Sequence, residues 1–267
     1  MNTARLWIGR LRNRNEGQTR ISEPETKVRP EFFRRARCNP QNVDPENSRL
    51  TLLSLRIQKF ESDPRFQKAF AMPSLAHHLY TMAANNAWAN HRLLAACAQL
   101  SQQDFVAPRT SFFPSLKATL NHIVTVDWFY VDALERALAG QPANPDARRC
   151  FDPPEPFATC AEIAAAQHAV DHRLLAACRN LTDAQLDAPV AVLRRTGVEH
   201  ESVTRLLAHL FQHQIHHRGQ AHAMLAGTPV KPPPLDEFFC ANEAHLRAAE
   251  IAELGLSEQA IWSDSGR

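Results

Sequence analysis

The sequence predicts an all-α fold, a four-helix bundle, and two observations support this prediction. After Pro73 the chain contains four segments of about 25 residues, each long enough for about seven helical turns. The loops between these segments contain prolines, which interrupt helices. Four helices of similar length joined by loops are the pattern of a bundle, so we assign residues 72–252 to one bundle with a short additional C-terminal helix.

The first two segments have clear helical features. Residues 74–100, "SLAHHLYTMAANNAWANHRLLAACAQL", contain neither glycine nor proline, and apolar residues such as Leu79 and Trp88 recur along them. Residues 114–140 begin with a proline, which a helix tolerates in its first turn, and end with a glycine, which often terminates a helix. We expect one helix in each segment.

The third helix is predicted at about residues 156–181 and the fourth at about residues 201–227, where a glycine precedes a nearby proline. After the sequence "KPPP", a shorter helix at about residues 236–252 is expected to pack on the outside of the bundle. Residues 253–267 are assigned to a C-terminal tail.

Residues 1–71 differ from the rest of the chain in charge and in pattern. They contain 15 of the 30 Lys and Arg and 8 of the 28 Asp and Glu, a net charge of +7, which leaves −5 for the remainder. Their first fifty residues are rich in arginine and have little apolar periodicity, so we expect a basic, largely disordered N-terminal extension. Two other interpretations stay open: a tail that binds nucleic acid or a membrane surface, and a true start at Met72.

The composition excludes several other classes of protein. Lys and Arg (30) nearly balance Asp and Glu (28), so the overall charge predicts no nucleic-acid partner except through residues 1–71. No stretch approaches the roughly 18 apolar residues of a membrane span, and the N-terminus lacks a signal-peptide pattern. The six cysteines form no C-x-x-C pair. We therefore expect a cytoplasmic protein with reduced thiols and no membrane contact.

An internal repeat links the first and third helices. The sequence "HRLLAAC" occurs at residues 91–97 and again at residues 172–178. Leucine and alanine suit a helix interface, so we interpret the two repeated histidines as packing residues. Each copy is followed by an N-cap pattern, in which a Ser or Thr precedes an acidic or amide residue by three positions.

A histidine stripe marks the fourth helix. In "LLAHLFQHQIHHRGQAHAML", residues 206–225, His209, His213 and His217 recur at every fourth position and so share one helix face. Two histidines at this spacing can bind one cation, because their Cβ atoms lie only about 5–6 Å apart. The alternative is that each histidine is a core residue with a hydrogen-bond partner.

Two ligands hold a divalent ion weakly, so a third should come from another helix. His122 is the only histidine of the second helix and is the best candidate. Three neutral imidazoles leave the ion its full charge and an open coordination position, which is a catalytic layout. The Glu-x-x-His pattern of di-iron bundles is absent, as are H-E-x-x-H and a glycine-rich phosphate loop.

Four stretches resemble the DinB/YfiT-like superfamily of metal-binding four-helix bundles, which is named for damage-inducible genes. They are "NNAWANHRLL", "SLKATLNHIVTVDWFY", "HLFQHQIHHRGQAHAML" and "PPPLDEFF", in the expected order over about residues 73–240. The H-x-x-x-H-R-G-Q element is the most specific. The resemblance implies a metal-binding triad of His122, His213 and His217, with zinc or nickel as the ion, and it makes a homodimer plausible.

Four further residues are candidates to contact the metal ligands. Asp127 is interpreted as orienting an imidazole, pairing with Arg218 or facing a neighbouring helix. His209 is a supporting group, an alternative ligand or a packing residue. Gln220 points along the metal face and is positioned to hydrogen-bond a ligand. Asn90 fits the helix-one pattern of the family, or forms an interhelical hydrogen bond.

The resemblance also implies a function. Superfamily members of known activity include thiol-dependent isomerases and transferases, in which the metal lowers the pKa of a small-molecule thiol. The same ion can act on water in this way. We predict a metal-dependent thiol S-transferase or hydrolase with a small-molecule substrate. The alternative is a metal-binding or stress-response module without turnover.

Overall fold

The computed structural model describes residues 74–263, and the predictions for residues 1–71 lie outside this range. Four long helices dominate the described chain: α1 (Leu75–Cys97), α3 (Leu116–Leu138), α4 (Cys160–Arg179) and α5 (Val203–Leu225). Three short helices accompany them: α2 (Gln102–Val106), α6 (Ala244–Glu253) and α7 (Glu258–Trp262). The predicted all-α class is confirmed.

The helix boundaries follow from local capping. A Ser or Thr precedes each long helix, and its hydroxyl accepts a hydrogen bond from the backbone N–H three residues later, which satisfies one of the free donors at the helix start. These N-caps are Ser74, Ser115, Thr159 and Ser202. At α4 the cap forms a full capping box with Glu162, so this helix begins at Cys160, a few residues after the predicted start.

In the bundle, α1 and α3 each pack against both α4 and α5. The interior contains two apolar clusters. The larger includes Trp88, Leu134 and Leu210, and the smaller includes Leu93 and Ile123. On each long helix the two clusters occupy successive stretches of sequence, and buried polar residues lie where one gives way to the other. The bundle therefore has a polar layer between two apolar layers.

A β-hairpin, absent from our prediction, precedes α5. Strand β1 (Pro189–Arg194) pairs antiparallel with β2 (Gly197–Ser202) and contacts α3. Val190 and Val192 are fully buried and anchor the hairpin to the core. The tight turn is made possible by Gly197, whose φ of 128° is rarely adopted by other residues.

The C-terminal region adds two helices beside the bundle. The expected helix at about residues 236–252 is found as a 3-10 turn (Ala241–Glu243) followed by α6. Residues 253–267, assigned to a tail, include α7, which contacts α1 and buries Ile261 completely. Across the described residues, no helix is both long and apolar enough to cross a membrane.

The repeated segments end α1 and α4 in similar ways. Cys97 and Cys178 are buried free thiols, and burial raises the pKa of each to about 12, so both behave as small apolar residues. The predicted N-caps that follow are also confirmed: Ser101 caps α2, and Thr182 forms a capping box with Gln185.

Candidate metal centre

Three predicted ligands come together between α3 and α5. His122 of α3 and His213 and His217 of α5 each offer one ring nitrogen, and these three atoms all lie within 4.8 Å of one another. The Nε2 atoms of His122 and His213 are 3.0 Å apart. This is the distance of a hydrogen bond between one protonated and one free nitrogen.

The environment keeps these imidazoles neutral. The pKa of His122 is lowered to about 4, mainly by burial and with a smaller contribution from the neighbouring His217. Burial and the nearby histidines lower the pKa of His213 to about 2, and burial also lowers the pKa of His217. A neutral ring has a free nitrogen lone pair, which is the form that binds a metal.

A hydrogen-bond chain orients His217. Nδ1 of His217 lies 2.8 Å from Oε1 of Gln220, and Nε2 of Gln220 lies 3.0 Å from Nε2 of the exposed His216. Because an amide oxygen only accepts, the proton of neutral His217 is on Nδ1 and its Nε2 lone pair is free. Gln220 thus contacts a ligand as its position on the helix face predicts. His213 differs, since its buried Nδ1 has no hydrogen-bond partner within residues 74–263.

The donor set fits a divalent transition metal. Two nitrogens bound to a tetrahedral ion at 2.0–2.1 Å are about 3.3–3.4 Å apart, a few tenths of an ångström more than the 3.0 Å between His122 and His213. A small rotation of the two rings covers that difference. Imidazole suits zinc, copper, iron and nickel. The three residues therefore fit such an ion by chemistry, and the spacing of His122 and His213 also fits it.

Two aromatic side chains, which our sequence analysis missed, cover this cluster. The Phe113 ring centroid lies 4.5 Å from that of His122 and 5.5 Å from that of His217. The Phe112 ring lies 6.4 Å from His217, and this residue is 55% exposed. Both precede α3 in a loop that ends at Pro114. The sequence pattern that indicates these two residues is an aromatic pair in a polar loop directly before the helix that carries His122.

An open groove of about 640 Å³ adjoins the cluster. Its walls are the loop of residues 108–111, which includes Arg109, and the face of α5 that carries His216, Gln220 and Met224. Gln220 contacts both the groove and His217. A small molecule in the groove would contact Gln220, the hydrogen-bond partner of His217.

Asn90 and Asp127 lie in the buried polar layer, where they hydrogen-bond to amide, carboxylate and guanidinium groups. Asp127 accepts hydrogen bonds from Gln167 at 2.8 Å and from Gln214, which matches the interpretation that it faces a neighbouring helix. Asn90 donates to Asp171 at 3.1 Å. An interhelical hydrogen bond is one of the two interpretations that the sequence allows for Asn90.

The same layer contains one buried cation for two buried carboxyls. Arg218 donates to Asn86, to Asn90 at 3.0 Å and to Gln214 at 3.1 Å, so amide groups connect it to the acids. Burial raises the pKa of Asp127 to about 6 and that of Asp171 to about 7, where the negative Asp127 adds to the effect. The layer joins all four long helices, and Gln214 and Arg218 of this layer directly follow His213 and His217 in the sequence.

His209 is not one of the three converging residues. Its ring packs against Tyr130, with centroids 5.1 Å apart, and lies 6.2 Å from the ring of His213. The residue is exposed. The structure thus supports the packing interpretation of His209 more than the ligand interpretation.

Comparison with known proteins agrees with this geometry. A family model described as DinB family matches residues 72–250, more than half of the chain. The match includes α1 to α5 and all three converging histidines. No curated protein matches the chain.

Proposed function

This chain belongs to the DinB family, and from that premise we propose that it binds one divalent transition metal ion and uses it as a thiol S-transferase or hydrolase. His122, His213 and His217 would hold the ion, with zinc or nickel as the preferred metals. The observation that carries the proposal is the convergence of three ring nitrogens within 4.8 Å. When bound, such an ion supplies the Lewis acidity that lowers the pKa of a small-molecule thiol or of water.

Protein residues support this role in three ways. The lowered pKa values of His122 and His213 keep their lone pairs available near neutral pH. Gln220 fixes the proton of His217 on Nδ1, so the other ring nitrogen faces the cluster. Phe113 packs on His122 and His217 and so excludes water from one side of the site.

An accessible position for substrate distinguishes an enzyme from a closed site. His209, the residue best placed to close the coordination sphere, packs on Tyr130 instead. The groove beside Gln220 gives a small molecule a way in, and Arg109 adds a positive charge to its wall. We therefore favour a small-molecule substrate that enters by the groove, with a small-molecule thiol or water as the nucleophile.

The alternative function is a metal-binding or stress-response module without turnover. One observation favours it: Asn90 and Asp127, which an enzyme would use beside its open position, are bound in the buried polar layer. Gln220 is then the main polar group next to the ligands.

The experiment that separates these functions uses metal-free protein reloaded with one equivalent of zinc or nickel. We would assay thiol transfer to small electrophiles and hydrolysis of small esters and amides, with His213→Ala as the matched control. Turnover by the loaded wild type, lost in His213→Ala, supports the enzyme. Stoichiometric metal binding without turnover in either the thiol-transfer or the hydrolysis assays supports the non-catalytic module.

A further inference from the structure

A second histidine cluster lies between α1 and α4, whereas the candidate metal centre joins α3 and α5. Nδ1 of His91 lies 3.4 Å from Nε2 of His168. The two rings are stacked, with centroids 5.4 Å apart and an interplanar angle of 24°. Both residues are half-buried. Two metal-binding side chains from neighbouring helices therefore present ring nitrogens to each other.

The separation of these nitrogens fits a shared metal ion better than a direct hydrogen bond. A hydrogen bond from a ring N–H spans roughly 2.7–3.2 Å between heavy atoms, and 3.4 Å exceeds that range. Two imidazole nitrogens on a tetrahedral ion with bonds of 2.0–2.1 Å are about 3.3–3.4 Å apart. The rings of His91 and His168 thus have the required spacing without rearrangement.

A carboxylate orients one of these rings. Oε2 of Glu253, at the end of α6, lies 3.1 Å from Nε2 of His91. A carboxylate holds the proton of a neutral imidazole on the nitrogen that it contacts, so the lone pair of His91 is on Nδ1, the atom that faces His168. Histidines that bind metals usually donate their other N–H to such an acceptor.

A third histidine follows within one helical turn. His172 comes four residues after His168 on α4 and is exposed. The Cβ atoms of residues at this spacing are about 5–6 Å apart, so both side chains can bind one ion. Burial lowers the pKa of His168, and the nearby His91 and His172 act in the same direction, which favours its neutral form.

We propose that His91, His168 and His172 form a second site for a divalent transition metal ion, with Glu253 as the positioning residue for His91. The exposed His172 side chain rotates to complete the site, and water fills the remaining position. Because one ligand must first become ordered, this site is weaker than the centre at His122, His213 and His217. An ion here would connect α1, α4 and the end of α6.

The test is a zinc titration of metal-free, untagged full-length protein near neutral pH, followed by calorimetry. Wild type should bind two equivalents, one tight and one weaker. His168→Gln should lose only the weaker equivalent, whereas His213→Ala should lose only the tight one. Glu253→Gln should weaken the second equivalent by roughly 10–100-fold. His200→Gln, which alters an exposed histidine on β2, is the matched control and should bind as wild type does.

Two results would overturn the proposal: wild type that binds no second equivalent at millimolar zinc, or a second equivalent that persists unchanged in His168→Gln. The proposal is independent of the enzymatic one. If the tight equivalent is missing from wild type but the His168-dependent one is present, the proposed function fails and the second site stands.

Discussion

Nε2 of His122 and Nε2 of His213 lie 3.0 Å apart, although the two residues are 91 positions apart in the sequence and belong to different helices. His217, one turn after His213, brings the third ring nitrogen to the same point. A hydrogen bond at this distance engages only one lone pair, and any half-buried lone pair left without a partner is costly, because it lacks the hydrogen bond it would make in water. A shared cation satisfies all three at once, and this is the physical reason to regard the cluster as a metal centre.

Replacement of Gln220 by Ala should weaken metal binding without removing it. The change deletes the acceptor that holds the His217 proton on Nδ1 and should lower zinc affinity by roughly 10–100-fold at unchanged stoichiometry. The measurement is competition with a chelator of known affinity. Gln212→Ala, an exposed position on the same helix, is the control. Equal affinities of the Gln220 variant and wild type would show that the amide does not orient the ligand.

The buried acids should make stability depend on pH. Because burial raises the pKa of Asp127 to about 6 and of Asp171 to about 7, the folded state binds more protons than the unfolded state, whose Asp pKa is about 3.9. The contribution of these acids to the free energy of unfolding is therefore fully present below about pH 4 and falls as pH rises through about 7. The lowered pKa values of His122 and His213 act in the opposite direction, so wild type alone does not isolate the effect.

A variant separates the two contributions. We expect the unfolding free energy of wild type minus that of Asp171→Asn to decrease between about pH 4 and pH 7, because only wild type retains the carboxyl of Asp171 with its raised pKa. Urea unfolding at several pH values measures this difference. Asp236→Asn removes an exposed carboxyl and is the control. A difference that is constant or increases with pH would contradict the assignment.

The long helices were predictable because their determinants are local. Proline-containing loops separate them, and a capping Ser or Thr stands at each start, so helix α1 was expected at residues 74–100 and found at Leu75–Cys97. The hairpin was not predicted. In the hairpin, the alternation of buried residues typical of a strand is limited to Val190 and Val192. Their burial depends on contact with α3, which no local pattern encodes.

Part of the site was also predictable from local features of the sequence. Helical periodicity placed His209, His213 and His217 on one face, but only the position of His122 across the interface selects the last two. The roles of Asn90 and Asp127 required knowledge of four helices, because their partners lie on different ones. Phe113 approaches the ligands through the path of a loop, which periodicity does not describe.

The C-terminal helix α7 should contribute to stability. Ile261 is completely buried, so Ile261→Ala removes apolar contacts and leaves a cavity, at an expected cost of about 2–5 kcal/mol. Thermal or urea unfolding measures the loss. Gln259→Ala, at an exposed position of the same helix, should change stability by less than about 0.5 kcal/mol. Equal stabilities of the two variants would mean that α7 does not pack on the bundle in solution.

The central claim is that His122, His213 and His217 hold one metal ion. Elemental mass spectrometry on untagged protein, purified with an excess of zinc or nickel and then desalted, tests it most directly. We predict about one tightly held equivalent in wild type and in His216→Ala, and little metal in His122→Ala, His213→Ala and His217→Ala. The exposed His216 ring packs edge-on against His217 and hydrogen-bonds Gln220, but it is not one of the three converging residues. Metal-free wild type, or equal loss in His216→Ala, would contradict the account.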